Sequence, residues 1–159
     1  MSTVNIHPLA GYSGGGKILV PGVAGLATIF GLHNLEAGSP GETATPMHRF
    51  IAAVLAQHPI ELGLQLLSDG TGEVVGLFAG PLQQAWDEAI QALHAYIARS
   101  IPKEFNLCLA EADPYDLNLL GFFKTLPALV AVMPPHGHGL ILIRGTAGLG
   151  HHHADGFLS

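Results

Sequence analysis

The sequence ELGLQLLSDGTGEVVGLF, residues 61–78, contains two apolar runs separated by an Asp-Gly turn. Two such runs around an Asp-Gly pair are a strong signal for a β-hairpin. Pro81 then opens a segment to about Ser100 whose apolar residues, Trp86 among them, recur at helical spacing. The stretch predicts a hairpin followed by the longest helix of the chain, with Trp86 in the core.

Two further helices are predicted before the hairpin. The apolar spacing of residues 23–32 favours a helix that begins after Pro21-Gly22. Residues 35–46 are rich in Gly, Ser, Thr and Pro and indicate a loop. Thr45 and Pro46 are a typical N-cap and first-turn pair for a helix that runs to Gln57.

The last third of the sequence predicts a second unit. It contains a strand at 105–110, a helix at about 115–133, a turn at 134–137 and a strand at 140–144. Strand, crossover helix and strand are typical of a parallel βαβ unit. The expected fold class is therefore α/β, with the end of one α/β domain that includes a β-hairpin, followed by the start of a second βαβ-type domain. Asp113 and Asp116, near the expected helix start, fit capping roles.

Composition restricts the class of protein. Of the 159 residues 48% are apolar and only 11% charged, so we expect part of the surface to be covered by a partner or by more chain. The net charge of −6 and the absence of a basic run argue against nucleic acid. One cysteine, Cys108, excludes an internal disulfide, and no apolar run reaches a membrane-spanning length. We expect a cytoplasmic protein with no membrane segment.

The candidate site is the glycine-rich sequence GYSGGGKILVPG, residues 11–22. Its glycines would allow a flat ligand or a phosphate close to the backbone, and Lys17 would act as a cation or a nucleophile. Its glycine and lysine spacing matches that of a phosphate-binding loop, in which the next residue is Ser or Thr. Here that residue is Ile18, which has no hydroxyl to bind a magnesium ion. His7 and His33 add proton transfer or metal ligation. Spacing alone leaves a surface lysine, a solvated His7 and a helix-terminal His33 as alternatives.

A resemblance to a known family favours a functional site over these alternatives. The sequence HPLAGYSGGGKILVPGVAG, residues 7–25, followed by Thr28-Ile29 and His33-Asn34, resembles the nickel-dependent lactate racemase family. The resemblance continues through the segments Pro46-Met47-His48, 75–80, 114–119 with Lys124, and 148–150. It implies that residues 1–101 are the C-terminal part of the family's N-terminal, cofactor-binding domain, and that residues 102–159 are a truncated start of its C-terminal α/β domain.

The resemblance also implies a chemistry. The family attaches a nickel-pincer nucleotide, a pyridinium-3-thioamide-5-thiocarboxylic acid mononucleotide, to the lysine that matches Lys17. The neighbouring cofactor contacts match Tyr12, Ser13, Gly14 and Gly15. The nickel ligand matches His33, one of two acid/base histidines matches His7, and a substrate-side lysine matches Lys124. The implied reaction is racemisation or epimerisation of a lactate-like 2-hydroxy acid by hydride transfer to the cofactor.

The resemblance further implies an incomplete active site. Members of the family carry upstream of His7 a second acid/base histidine, a substrate-binding arginine and phosphate contacts, and their second domain continues beyond residue 159. Gly121 stands where the family has a glutamine, which leaves the substrate open among 2-hydroxy acids. We therefore expect a racemase part that needs a complementary polypeptide or self-association. The alternative is a non-catalytic fragment or assembly subunit of the same fold.

The other histidines are given no site. His151, His152 and His153 are adjacent and do not share one face, so we expect adventitious metal affinity or a solvated tail. His136 and His138 flank a turn glycine. The remaining ones on or beside expected helices need no special role: His48, His58 and His94.

Overall fold

The computed structural model describes residues 1–7, 9–33, 40–101, 104–119 and 124–148. The chain divides into two compact units, Met1–Ala98 and Arg99–Ser159. Each combines helices with strands, so the predicted α/β class is confirmed. The assignment of residues 1–101 and 102–159 to two racemase domains remains a prediction.

The first unit contains a three-stranded sheet in the order β1-β4-β5. Strand β1 (Ser2–Thr3) lies parallel to β4 (Gly63–Ser68), and β5 (Val74–Gly80) returns antiparallel to β4. The Asp69 carboxylate closes the turn by accepting from the Thr71 amide at 2.9 Å and the Glu73 amide at 3.0 Å. The hairpin predicted from residues 61–78 is therefore confirmed.

Helix α3 (Leu82–Ile97) covers this sheet. Its buried face repeats at three- and four-residue intervals, as a helix that packs on a sheet requires: Leu82, Ala85, Trp86, Ala89, Ile90 and Leu93. Trp86 is 3% exposed and packs with Val4, Tyr12 and Leu67. Its predicted place in the core is confirmed.

Helices α1 (Leu26–His33) and α2 (Pro46–Gln57) are the two predicted before the hairpin. The Thr45 hydroxyl accepts from the His48 amide at 3.1 Å, which confirms the predicted N-cap of α2. Helix α1 begins later than expected, because residues 21–23 form a turn. Residues 35–39 of the predicted loop lie outside the described part of the chain.

A short hairpin leads into the glycine-rich segment. Strands β2 (Ile6–His7) and β3 (Gly11–Tyr12) pair antiparallel, with His7 opposite Gly11. Gly11 has φ 76°, and a Cβ there would lie 1.6 Å from the Glu42 carbonyl oxygen. Only glycine adopts this positive φ without strain and also leaves room for the Glu42 carbonyl. A short 3-10 helix, Gly15–Ile18, follows.

The second unit contains the predicted parallel strand pair. Strand β6 (Leu107–Glu111) pairs with β7 (His138–Leu142), and a five-residue helix α4 (Leu126–Val130) precedes β7. The turn at 134–137 is closed by the Gly137 amide, which donates to the Pro134 carbonyl at 2.9 Å.

The long helix predicted for 115–133 is wrong at its start, since residues 115–119 form turns and bends. Their backbone is paired elsewhere: the Ala147 amide donates to Leu117 at 2.7 Å, and the Leu119 amide donates to Gly148 at 2.9 Å. A backbone group that is paired with a distant segment does not form an intrahelical bond. Residues 120–123 lie outside the described part.

Asp113 and Asp116 bind an arginine rather than cap a helix, so the predicted capping role is wrong. Arg144 donates to Asp116 at 2.6 and 2.7 Å and to Asp113 at 2.8 Å. These bonds tie the segment before α4 to the end of β7. Among the described residues, no helix is both long and apolar enough to cross a membrane.

Candidate functional site

One buried cluster joins the segments that carry His7, Lys17 and His33. It consists of Ala10, Val20, Leu32, Met47 and Ile51. Ala10 lies three residues after His7, Val20 three after Lys17, and Leu32 directly before His33. Burial of these apolar side chains fixes the three segments against α2. The segments that carry the three sequence-predicted residues therefore share one apolar cluster.

The glycines before Lys17 are required by packing. A Cβ at Gly14 would lie 2.6 Å from Val4 Cγ2, and one at Gly15 would lie 2.8 Å from Trp86 Cδ1. A Cβ at Gly16 would lie 2.4 Å from Leu55 Cδ1. Protein side chains thus pack against these glycines on the side that a Cβ would occupy. The cofactor contacts assigned to Gly14 and Gly15 remain predictions.

Tyr12 and Ser13 are engaged in the core of the first unit. The buried Tyr12 hydroxyl is hydrogen-bonded to His94 Nε2, its ring meets Trp86 edge-on at 6.3 Å, and burial raises the pKa of the phenol. The Ser13 hydroxyl donates to the Thr3 carbonyl at 3.0 Å and accepts from the Asn5 amide at 2.8 Å. These contacts orient the segment, and a cofactor role for either residue remains a prediction.

His7 is half-buried, and its ring is held by the backbone. Its Nδ1 accepts from the amides of Leu9 at 3.2 Å and Ala10 at 3.1 Å. Two donors at Nδ1 assign the proton of the neutral ring to Nε2.

His33 is the last residue of α1 and is exposed. Its ring Nδ1 lies 2.7 Å from the Ile29 carbonyl oxygen, one turn earlier, and the carbonyl makes this nitrogen the donor. The neutral ring then has its lone pair on Nε2. A histidine oriented through a carbonyl in this way is typical of metal ligands.

Lys17 lies within the 3-10 helix and is partly exposed. With His48, Trp86 and Gln83 it lines a cavity of only about 10 Å³. These side chains are therefore closely packed. His48 stacks on Trp86 with ring centroids 4.7 Å apart, and burial lowers the pKa of its imidazole. The sequence interpretation gave His48 and His94 no role.

Lys124 belongs to the second unit. Its Nζ lies 4.1 Å from the centroid of the Tyr115 ring, and desolvation lowers the pKa of the amine. A cation over an aromatic face is stabilised by the ring quadrupole. The substrate-side role implied for Lys124 remains a prediction. Gly121, the other position in question, lies outside the described residues.

Within the described ranges, no three His, Cys, Asp or Glu side chains converge on one point as a metal cage would require. His151, His152 and His153 fall outside those ranges. The single-ligand arrangement implied for His33 is different, since the rest of the coordination would come from a bound group, and it remains a prediction.

One family model matches the first part of the chain. Residues 1–45 match the family profile described as the lactate racemase N-terminal domain, and this range includes His7, Lys17 and His33. The predicted resemblance to the lactate racemase family is thereby confirmed. No curated protein matches the chain.

A solved structure shares the fold. It is the lactate racemase apoprotein from Thermoanaerobacterium thermosaccharolyticum, which matches 95% of this chain with a TM-score of 0.83 and 23% sequence identity. The chain spans 38% of the length of that protein. At this identity the similarity establishes the fold.

Proposed function

We propose that the chain is part of a racemase or epimerase of lactate-like 2-hydroxy acids, with Lys17 as the attachment point of a nickel-pincer nucleotide. The observation that carries the proposal is the profile match over residues 1–45, because it spans His7, Lys17 and His33 together. Hydride transfer, nickel and a cytoplasmic location are parts of the same proposal.

The donor chemistry of the described residues fits such a group. The carbonyl of Ile29 holds His33 Nδ1 as the donor, so Nε2 is the nitrogen with the ligating lone pair. Neutral imidazole is a good nickel ligand. Lys17 supplies a primary amine next to a backbone fixed by Gly14–Gly16 packing. When bound, the group would supply a nickel centre and a hydride acceptor for the α-hydrogen.

His7 is the proposed acid/base residue on one face of the substrate. In the geometry described, it is a hydrogen-bond donor through Nε2 toward a hydroxyl or carboxylate oxygen. To accept a proton at Nε2, the ring must carry its proton on Nδ1 instead. That tautomer repels the Leu9 and Ala10 amides, so proton transfer by His7 requires this short turn to rearrange.

Inversion of a stereocentre needs groups on both faces of the flat intermediate, and the proposed residues supply one face. We propose that a complementary polypeptide or a second copy supplies the other. Exposed apolar side chains on the edge strand β5 support a covered surface: Val74 at 59%, Val75 at 46% and Leu77 at 62%.

Intact-mass analysis of protein co-expressed with the cofactor-synthesis enzymes tests the attachment. We expect a mass increase equal to the nucleotide less the small molecule released when the Lys17 amine condenses with it, and nickel bound in proportion to this adduct. Lys17→Ala should abolish both. His33→Ala should keep the organic adduct and lose most of the nickel, because only the metal ligand is removed.

Lys124→Ala is the matched control, since it removes a lysine amine from the second unit and should leave the adduct unchanged. An unmodified mass in wild-type protein would contradict the proposal. So would an adduct that survives Lys17→Ala.

The second candidate function is a non-catalytic assembly subunit, which the exposed apolar strand β5 also favours. Such a subunit would co-purify with a partner chain but carry neither adduct nor nickel. The intact-mass measurement on the purified complex therefore separates the two candidates.

A further inference from the structure

The strand pair of the second unit presents one face that is rich in leucine. Residues opposite each other in a strand pair share a face, as does every second residue along each strand. The register of β6 and β7 therefore puts six side chains on one face, which we call the leucine face: Leu107, Leu109, Glu111, His138, Leu140 and Leu142. Its four leucines are 68%, 67%, 59% and 56% exposed in chain order.

The opposite face of the same strand pair is packed. Cys108 and Ala110 of β6 are half-buried there, and a Cβ at Gly139 would lie 2.4 Å from Leu129 Cδ2 of α4. Parallel strands occur almost only in sheets that are covered on both faces, and β6 and β7 are parallel. The leucine face therefore has the character of a surface that a partner covers.

The two ends of the leucine face carry complementary polar groups. Glu111 is the last residue of β6 and His138 is the first residue of β7, so they lie at opposite ends. The cation next to Glu111 is Arg144, which is already bonded to Asp113 and Asp116. If two copies stack with their strands antiparallel, Glu111 of each copy lies at the same end as His138 of the other. An imidazole N–H can donate to a carboxylate in either charge state of the ring.

The size of the leucine face agrees with a weak dimer. Its six side chains expose roughly 500 Å² per copy, so a contact between two such faces buries about 1,000 Å², the lower end of specific interfaces. A two-fold contact also requires one patch to complement itself. Four leucines with an acid at one end and an imidazole at the other meet that requirement.

We propose that the leucine face binds the leucine face of a second copy of this chain, with the strands antiparallel across the contact. Sheets that pack face to face lie about 10 Å apart, which lets the leucines interdigitate. The contact lies within the second unit and does not involve Lys17. It therefore goes beyond the proposed racemase function and does not depend on it.

Sedimentation equilibrium of the unmodified full chain, from about 1 µM to about 500 µM, tests the proposal. We expect a monomer–dimer equilibrium with a dissociation constant of about 10–100 µM, as an interface at the lower size limit implies. At about 1 µM the monomer predominates, so unfolding measured at that concentration reports on the single chain.

Leu109→Gln, at the centre of the leucine face, should raise the dissociation constant at least about tenfold, because the symmetry repeats the change in both copies. Leu109 is exposed in the single chain, so the circular dichroism spectrum should not change. Leu77→Gln is the matched control. It alters a leucine of similar exposure on β5 of the first unit and should leave the dissociation constant unchanged.

Glu111→Gln tests the antiparallel alignment. The chain has a net charge of −6, so the loss of one negative charge by itself favours association. We expect the opposite, a dimer about threefold weaker, because each copy loses a carboxylate that accepts from His138 of the other copy. Glu61→Gln, at an exposed acid of the first unit, is the control that should not weaken the dimer.

A chain that stays monomeric up to about 500 µM would overturn the proposal. Weakening by Leu77→Gln that equals or exceeds that by Leu109→Gln would assign the contact to β5 instead. A stronger dimer with Glu111→Gln would mean that like carboxylates face each other, which contradicts the antiparallel contact.

Discussion

The two units of the chain are held together by different interactions. Of the sixteen buried apolar side chains among the described residues, the second unit contributes only Ala112 and Leu129. One face of its strand pair is exposed, with Leu107 at 68% and Leu109 at 67% on β6. The first unit has two apolar clusters around α3 and α2. Stability in the first unit therefore derives from side-chain packing, and in the second from backbone pairing and the Arg144 ion pairs.

The largest expected effect is that of Trp86→Ala, which should destabilise the first unit by about 3–5 kcal/mol. It empties the centre of the α3 cluster and removes the indole hydrogen bond to the Ser13 carbonyl, 2.9 Å long. Urea unfolding followed by far-UV circular dichroism measures the loss.

Leu107→Ala in the second unit is the control for Trp86→Ala. Because Leu107 is largely exposed, we expect a change within about 0.5 kcal/mol. Comparable losses for the two substitutions would contradict the contrast between a packed first unit and a sparsely packed second one.

Gly16→Ala should cost about 1–3 kcal/mol, since the new Cβ meets Leu55 Cδ1 at 2.4 Å and Ile51 Cγ2 at 2.7 Å. Gly31→Ala is the matched control. Gly31 lies inside α1 with nothing within 4 Å of its Cβ position, so alanine should stabilise by about 0.5–1 kcal/mol. If Gly16→Ala were also stabilising, packing would not be the reason for glycine beside Lys17.

The smallest expected effect is confined to the second unit and depends on pH. Arg144 lowers the pKa of Asp116 through its hydrogen bond and charge. A carboxyl whose folded pKa is lowered stabilises the fold above its unfolded pKa of about 3.9, and this stabilisation is lost as the pH falls through the folded value.

Arg144→Ala should therefore speed amide exchange in residues 107–111 at neutral pH, and the difference from wild type should shrink in acid. Asp113→Asn, at a half-exposed partner of the same arginine, should have the smaller effect. A difference that persists unchanged below the folded pKa of Asp116 would show that the ion pair does not support this unit.

The elements that were predicted correctly are those with local signals. Thr45 and Pro46 are a local N-cap and first-turn pair that signals a helix start, and α2 runs from Pro46 to Gln57 as expected. The Asp69-Gly70 turn likewise specifies the hairpin through bonds within four residues. The predicted helix from residue 115 fails because its first residues are bonded to residues 145–148, a pairing that periodicity does not reveal.

The candidate site likewise has features that the sequence predicted and features that it did not. Its chemistry-bearing residues, His7, Lys17 and His33, were named from the spacing of the sequence and from its resemblance to a family. The sequence did not reveal that Trp86 and Leu55 reach Gly15 and Gly16 from distant segments. The Tyr12–His94 bond and the buried Gln65 amide, whose Nε2 is a donor without a hydrogen-bond partner among the described residues, were likewise not predicted.

The sequence alone determined the α/β class, the hairpin, α2 and α3, and the lactate racemase resemblance, because turn chemistry, capping and hydrophobic periodicity act between residues close in the chain. Only the tertiary structure decided which nitrogen of His7 and of His33 carries the proton. It also decided why Gly14–Gly16 must lack side chains and where the buried Gln65 donor lies. The glycine packing and the buried Gln65 donor depend on contacts between segments far apart in sequence, which form only when apolar burial brings them together, whereas the His7 and His33 bonds run to residues two to four positions away.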